Sequence, residues 1–186
     1  MIQLPGGPYT KDDLLRFQMI AGLCKGTVLD VGAGDGKLGE YLNPGHHYTG
    51  IDETPRGPSV LVGTAYELAF EDDSFDTVVL GEVIEHLLHP AEALEQAYAV
   101  ARHQVIVSTP NPFNTDQIAS VFWNGYNIEN INHIALYGDN EIRSLSHHVG
   151  FKKCTPHRFY TRVPGLRWLS PFKSVFGEWN IYVLEV

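Results

Sequence analysis

Residues 27–38 read TVLDVGAGDGKL, an apolar β-branched run that ends in an acid and passes straight into glycines at positions 32, 34 and 36. Such a run forms a short buried strand, and glycines at alternate positions turn the chain tightly with no Cβ to hold a ligand off the backbone. Lys37–Leu42 can continue as helix, so the segment predicts strand, tight turn and helix, with free amide donors offered to an anionic group. That order belongs to open α/β sheets, which take their ligands at the carboxyl ends of the strands. A dinucleotide fingerprint would need its third glycine at position 37, where Lys37 stands and disturbs the close approach of a pyrophosphate. Dinucleotide binding is disfavoured. Asp30 precedes the turn, and Asp52 ends the next strand 18 residues after Gly34, where an acid can accept hydrogen bonds from both hydroxyls of a ribose. Together these features point to a nucleoside.

The rest of the chain alternates in the same way. Thr10, Asp12 and Asp13 form a cap and an acidic first turn for a helix over 10–23. Strands are expected at 47–51, running into Asp52, and at 59–62, 77–80 and 103–108. Pro90 opens a helix over 90–102, and an amphipathic helix over 139–149 is stopped by Gly150. Two last strands, 151–159 and 179–186, complete an α/β architecture: a doubly wound, mostly parallel seven-stranded sheet with a terminal antiparallel hairpin. The span Thr54–Pro58 is awkward, because adjacent parallel strands normally need a crossover on the order of a dozen residues. Residues 111–137 and 161–177, rich in Pro and aromatics, are too long for plain connections and are expected to cover the substrate.

Composition narrows the class. The 186 residues suffice for one domain, expected over 1–186, and 44% hydrophobic with 19% charged residues is ordinary for a globular chain. Lys plus Arg number 13 against 22 Asp plus Glu; the net charge of −9 repels a phosphate backbone, so nucleic acid is not an expected partner. Only Cys24 and Cys154 carry thiols, which provides no disulfide framework. No stretch approaches the roughly 20 apolar residues of a membrane span, and no secretory signal opens the chain, so a cytoplasmic location is expected.

VLDVGAGDGKLGEYL, GIDE, GTAYELAFEDDSFDTVVLGEVIEHLLHP and VSTPNP resemble a class I S-adenosylmethionine-dependent methyltransferase with a Rossmann-like fold, over about Val28 to Phe151. The resemblance implies S-adenosylmethionine as cofactor and S-adenosylhomocysteine as product. It places Asp30, Gly32, Ala33 and Gly34 in the motif that holds the methionine part, Asp52 on the ribose and Glu53 beside the adenine. Where such enzymes often carry an acid for the adenine amino group this chain has Thr64, followed by Ala65 for a ring nitrogen; Glu67 is a neighbouring acid that could compensate. Gly81 and Glu82 resemble the position that contacts the methionine amino group.

Methyl transfer to a hydroxyl gains from a general base. His86, after the fourth strand on the ligand side of the sheet, is the first candidate, with Glu85 beside it and His133 able to reach the same place. The spacing Glu82-x-x-Glu85-His86 with a distant His resembles metal-binding segments of small-RNA 2'-O-methyltransferases and of some ubiquinone-pathway O-methyltransferases. Against this stands a simpler arrangement, with Glu82 on the cofactor, Glu85 solvated and His86 capping the next helix, and no metal site is expected. The paired His46, His47, His147 and His148 are expected to be exposed side chains. The expected activity is O-methylation of a small molecule such as a sugar, a phenol or a natural-product intermediate. The alternatives are a metal-assisted RNA ribose 2'-O-methyltransferase and a non-catalytic cofactor-binding partner subunit.

Overall fold

In the computed structural model, which describes residues 9–113, 133–158 and 179–186, helix α1 (Lys11–Leu23) starts at a capping box. The Thr10 hydroxyl accepts the Asp13 amide, while the Asp13 carboxylate accepts the Thr10 amide and hydroxyl. Strand β1 (Thr27–Val31) follows, then a glycine turn and a short 3₁₀ helix, Lys37–Tyr41. The turn is too tight to grow an α-helix there: Gly36, at its entry, has φ of 82°. β2 (His47–Asp52) and β3 (Val60–Val62) come next, then β4 (Phe75–Gly81) and a 3₁₀ turn, Ile84–His86. Helix α2 (Pro90–Val100) runs without a loop into β5 (Ala101–Pro110). Helix α3 (Asp139–Val149) ends at Gly150 (φ of 106°), and β6 (Lys153–Arg158) and β7 (Trp179–Glu185) close the fold.

The sheet has seven strands in the order β3-β2-β1-β4-β5-β7-β6. The first five are mutually parallel and β7 runs antiparallel between β5 and β6, as the doubly wound sheet with a terminal hairpin requires. The chain reverses between β1 and β4, the point where ligands enter such sheets. Two apolar layers sandwich it, one around Leu29, Val78, Leu80, Leu94 and Ile142, the other around Ile20, Val28, Val79, Ile106 and Ile181. Among the described residues no helix is long and apolar enough to cross a membrane.

Three expectations on element bounds are corrected. The 90–102 helix stops at Val100, and Ala101 already pairs with Phe75 as strand. Lys37–Leu42 is 3₁₀ rather than α. The connection over 53–59 does join parallel neighbours, because β3 pairs only with Gly50–Asp52, the carboxyl end of β2. The chain therefore has to return only a few ångströms. Most of the segments expected to cover the substrate, 114–132 and 161–177, lies outside the described residues.

Asp76 fastens the bases of three strands. Its Oδ2 accepts the Thr27 amide at 2.8 Å, its amide donates to the Thr27 hydroxyl at 2.9 Å, and Arg102 reaches Oδ1 at 2.8 Å. These bonds favour the carboxylate and hold its pKa below the ordinary Asp value. Asp76→Ala is expected to lower stability by about 1–3 kcal/mol in urea unfolding, since it strands the Thr27 amide. In the wild-type chain this contribution is present above the ordinary Asp pKa and is lost as pH falls through the lowered one.

Candidate active site

The carboxyl ends of β1 and β4 open onto a cavity of about 540 Å³, the size range of small-molecule sites. Asp30, Gly32, Ala33, Gly34, Gly81, Glu82 and His86 line it, joined by Tyr9, Asp13, Arg16 and Phe17 from the α1 end, Arg56 and Trp179. The glycine turn is braced from β2: the Gly32 and Ala33 amides both donate to the Ile51 carbonyl at 2.9 Å, and the Gly34 amide donates to Asp52 Oδ2 at 2.8 Å. Gly34 has φ of 60°, a left-handed conformation that favours glycine, and a Cβ there would lie 2.6 Å from Arg56 Nη2, which would have to move aside.

Asp30, 6% exposed, accepts the Tyr48 hydroxyl at 2.8 Å. Burial pushes its pKa up to about 7 against the opposing pull of Tyr48 and Arg16. Asp52 lies outside the cavity wall but shares the turn; its Oδ1 accepts the Thr54 amide at 2.8 Å. Its Oδ1 also accepts the Thr54 hydroxyl at 3.5 Å, while Oδ2 keeps a lone pair for a further donor. Glu53 and Thr64 form a separate pair beyond it, with the Thr64 hydroxyl donating to Glu53 Oε1 at 2.8 Å, while Ala65 is buried under them. Glu67 is exposed and meets Thr64 only through the backbone.

At the end of β4 the chain takes a strained step: Glu82 has φ of 59°, rare for a residue with a Cβ. Its carboxylate accepts the Ser108 hydroxyl at 3.1 Å. Glu85 follows on the 3₁₀ turn and is fully buried, unlike the solvated residue of the simpler arrangement, and among the described residues neither carboxyl oxygen has a hydrogen-bond partner. Burial and the adjacent Glu82 both push its pKa up, so the pair favours a protonated Glu85 against Glu82. The Glu85 carbonyl accepts the Ile134 amide at 2.8 Å, which fastens residues 133–135 onto this turn. That bond brings His133 to His86, ring centroids 4.9 Å apart. One ligand atom from each of Glu85, His86 and His133 lies within 4.8 Å of the others. Nor does His86 stand at the start of the next helix, whose N-cap is His89.

A methyltransferase domain model matches residues 10–155. The chain belongs to the methyltransferase domain family. With it stands the expected class, an S-adenosylmethionine-dependent enzyme on a Rossmann-like sheet. Solved structures share the fold. A possible histamine N-methyltransferase from Thermotoga maritima superposes with a TM-score of 0.70 at 19% identity, over 92% of this chain and 87% of that one. Magnesium protoporphyrin IX methyltransferase from Synechocystis, solved with bound S-adenosylhomocysteine, gives 0.66 at 14% identity, over 96% and 89%. The small RNA methyltransferase HEN1 gives 0.69 at 17% identity, over all of this chain and 27% of that one. No curated protein is significantly similar to the chain in sequence.

The cavity of this methyltransferase fits its cofactor on chemical grounds. Its wall carries Asp13, Asp30 and Glu82 against Arg16 and Arg56, and burial pushes the pKa of Asp30 and of Glu82 up. Such a wall gains from a ligand that brings positive charge, as a sulfonium with an ammonium group does. Sequence reasoning missed Tyr9, Arg16, Arg56 and Trp179. An arginine on an amphipathic helix reads as solvated, and only the packing of α1 across the strand ends turns Arg16 inward.

Asp30→Asn isolates the cost of the buried acid. With a raised folded pKa, Asp30 contributes stability that is fully present below its unfolded value and lost as pH rises toward about 7. The ligand-free wild-type protein is therefore expected to lose up to roughly 1.4 kcal/mol per pH unit across that window from this group, and Asp30→Asn to flatten the slope in urea titrations.

Proposed function

We propose that this methyltransferase transfers the methyl group to a hydroxyl of a small molecule such as a sugar, a phenol or a natural-product intermediate. The observation that carries the reading is the group Glu85, His86 and His133 at the end of β4, with His86 in the cavity wall. Bound S-adenosylmethionine supplies an activated methyl group open to in-line displacement. The chain's own residues do the rest. The glycine turn and Asp52 hold the nucleoside, Gly81 and Glu82 hold the methionine end, and the fixed geometry contributes on the order of 7–11 kcal/mol through proximity. His86 takes the hydroxyl proton as the oxygen–methyl bond forms and the methyl–sulfur bond breaks, leaving S-adenosylhomocysteine.

A second reading of the same group is supported by Glu85, whose two buried oxygens have no hydrogen-bond partner among the described residues. With His86 and His133 it could hold a divalent cation, which would lower the pKa of the acceptor hydroxyl. A metal-assisted RNA ribose methyltransferase would use such a site, but the net charge of −9 favours a small acceptor. The two free thiols, Cys24 and Cys154, suit the cytoplasmic location of a small-molecule enzyme.

The reading is tested by methyl transfer from labelled cofactor to hydroxyl acceptors, with and without a chelator. His86→Ala is expected to lower turnover roughly 10²- to 10⁴-fold while changing S-adenosylhomocysteine affinity by less than about threefold. Turnover that survives chelation assigns the proton to His86 alone; turnover lost to the chelator and restored by Mg²⁺ assigns a cation at Glu85, His86 and His133. Wild-type turnover in His86→Ala would remove this group from the chemistry.

A further inference from the structure

Tyr48 reaches the buried acid of β1 from the neighbouring strand. Side chains along a strand face alternate sides of the sheet, so Tyr48 and Gly50 of β2 share a face with Val28 and Asp30 of β1, their partners in register. Because residue 50 is glycine, the Tyr48 ring can lean forward along β2, and its hydroxyl donates to Asp30 Oδ2 at 2.8 Å. A Cβ on Gly50 would lie 2.9 Å from that hydroxyl oxygen, and one on Gly39 would lie 3.0 Å from Tyr48 Cδ1. A Cβ on Gly36, at the end of the turn, would come within 3.7 Å of the same hydroxyl. The ring therefore fills a slot that glycines leave open. Gly39 and Gly50 stand outside the ligand-facing turn, and it is the tyrosine that accounts for them.

Asp30 is 6% exposed, and a carboxylate so placed is costly unless a donor meets it. Burial drives it toward its neutral form, while the Tyr48 hydrogen bond and the charge of Arg16 pull it back. The other titratable groups around the pair are Asp52 and Cys24, which feel Asp30, and Asp35 and Tyr9, which act on Tyr48. We propose that Tyr48 is a positioning residue for cofactor binding: through its hydroxyl it holds Asp30 in the cavity wall as the carboxylate that a ligand with a positive centre requires. The inference rests on the cofactor reading above and adds to it a residue that lies outside the cavity wall and acts only through Asp30.

The test is calorimetry on the full chain from pH 6 to 9 with S-adenosylhomocysteine, which carries an ammonium group, and 5'-methylthioadenosine, which carries none. Tyr48→Phe keeps the ring in its slot and removes only the donor. It is expected to weaken S-adenosylhomocysteine roughly tenfold near pH 7 and progressively less as pH rises, because Asp30 without its hydrogen bond ionises later. Glu82 is also pushed up to about 7, but it contributes to the pH course of both proteins alike, so their difference isolates Asp30. Affinity for 5'-methylthioadenosine is expected to change by less than about threefold. In an Asp30→Asn background the pH-dependent part of the Tyr48→Phe effect is expected to vanish. Unchanged S-adenosylhomocysteine affinity across the range in Tyr48→Phe would overturn the proposal. So would a loss that is equal for both ligands and constant with pH, which leaves Tyr48 as packing beneath the turn. A wild-type chain that binds neither ligand would overturn the cofactor reading, and this inference with it.

Discussion

The site depends on how the turn after β1 is held. Its amides cannot bond within a helix, because the chain turns through glycines at positive φ before the 3₁₀ segment begins. They are satisfied instead from the neighbouring strand, two by the Ile51 carbonyl and one by the Asp52 carboxylate. The Arg56 amide returns the connection by donating to the Gly34 carbonyl at 2.8 Å. The residue that ends β2 therefore fixes the loop that ends β1, and the unusually direct passage from β2 to β3 braces the loop from outside. A buried backbone group without a partner costs about as much as a lost hydrogen bond, so these bonds hold the loop in one conformation.

Around that turn the fold gathers charge it does not neutralise. Asp30 lies near the end of buried β1, and Glu82 and Glu85 follow directly on β4, whose centre is buried. Each is pushed toward its neutral form there, while Arg16 stands among them, paired with Asp13 at 3.8 Å and Glu82 at 3.9 Å. The strained backbone of Glu82 belongs to the same account, since strain of order 1–3 kcal/mol persists only where surrounding structure imposes it. A ligand carrying two positive centres and one negative one answers these groups together.

Much of this was legible in the chain. The bounds of β1 and α3 follow from a β-branched run closed by glycine and from an amphipathic stretch stopped by Gly150. The place of Asp52 at the end of β2 was legible too, but its bond to the Gly34 amide was not, since the chain alone assigns that acid to a ribose. What escaped were features set by a partner far along the chain. Glu85 reads as solvated in a charged, helix-like segment, yet residues 133–135 dock on its backbone and seal it. Arg16 reads as a surface residue until β7 brings Trp179 across it. β5 begins earlier than expected because Ala101 pairs with Phe75 of β4 and the Arg102 side chain reaches Asp76, a choice that local propensity does not make.

The measurement that bears most directly on this account is a calorimetric titration of the purified wild-type chain with S-adenosylhomocysteine, with NAD as the control. The account predicts saturable binding of S-adenosylhomocysteine at one site per chain and no heat from NAD, since Lys37 bars a pyrophosphate from the turn. Binding of NAD, or no binding of S-adenosylhomocysteine, would contradict it.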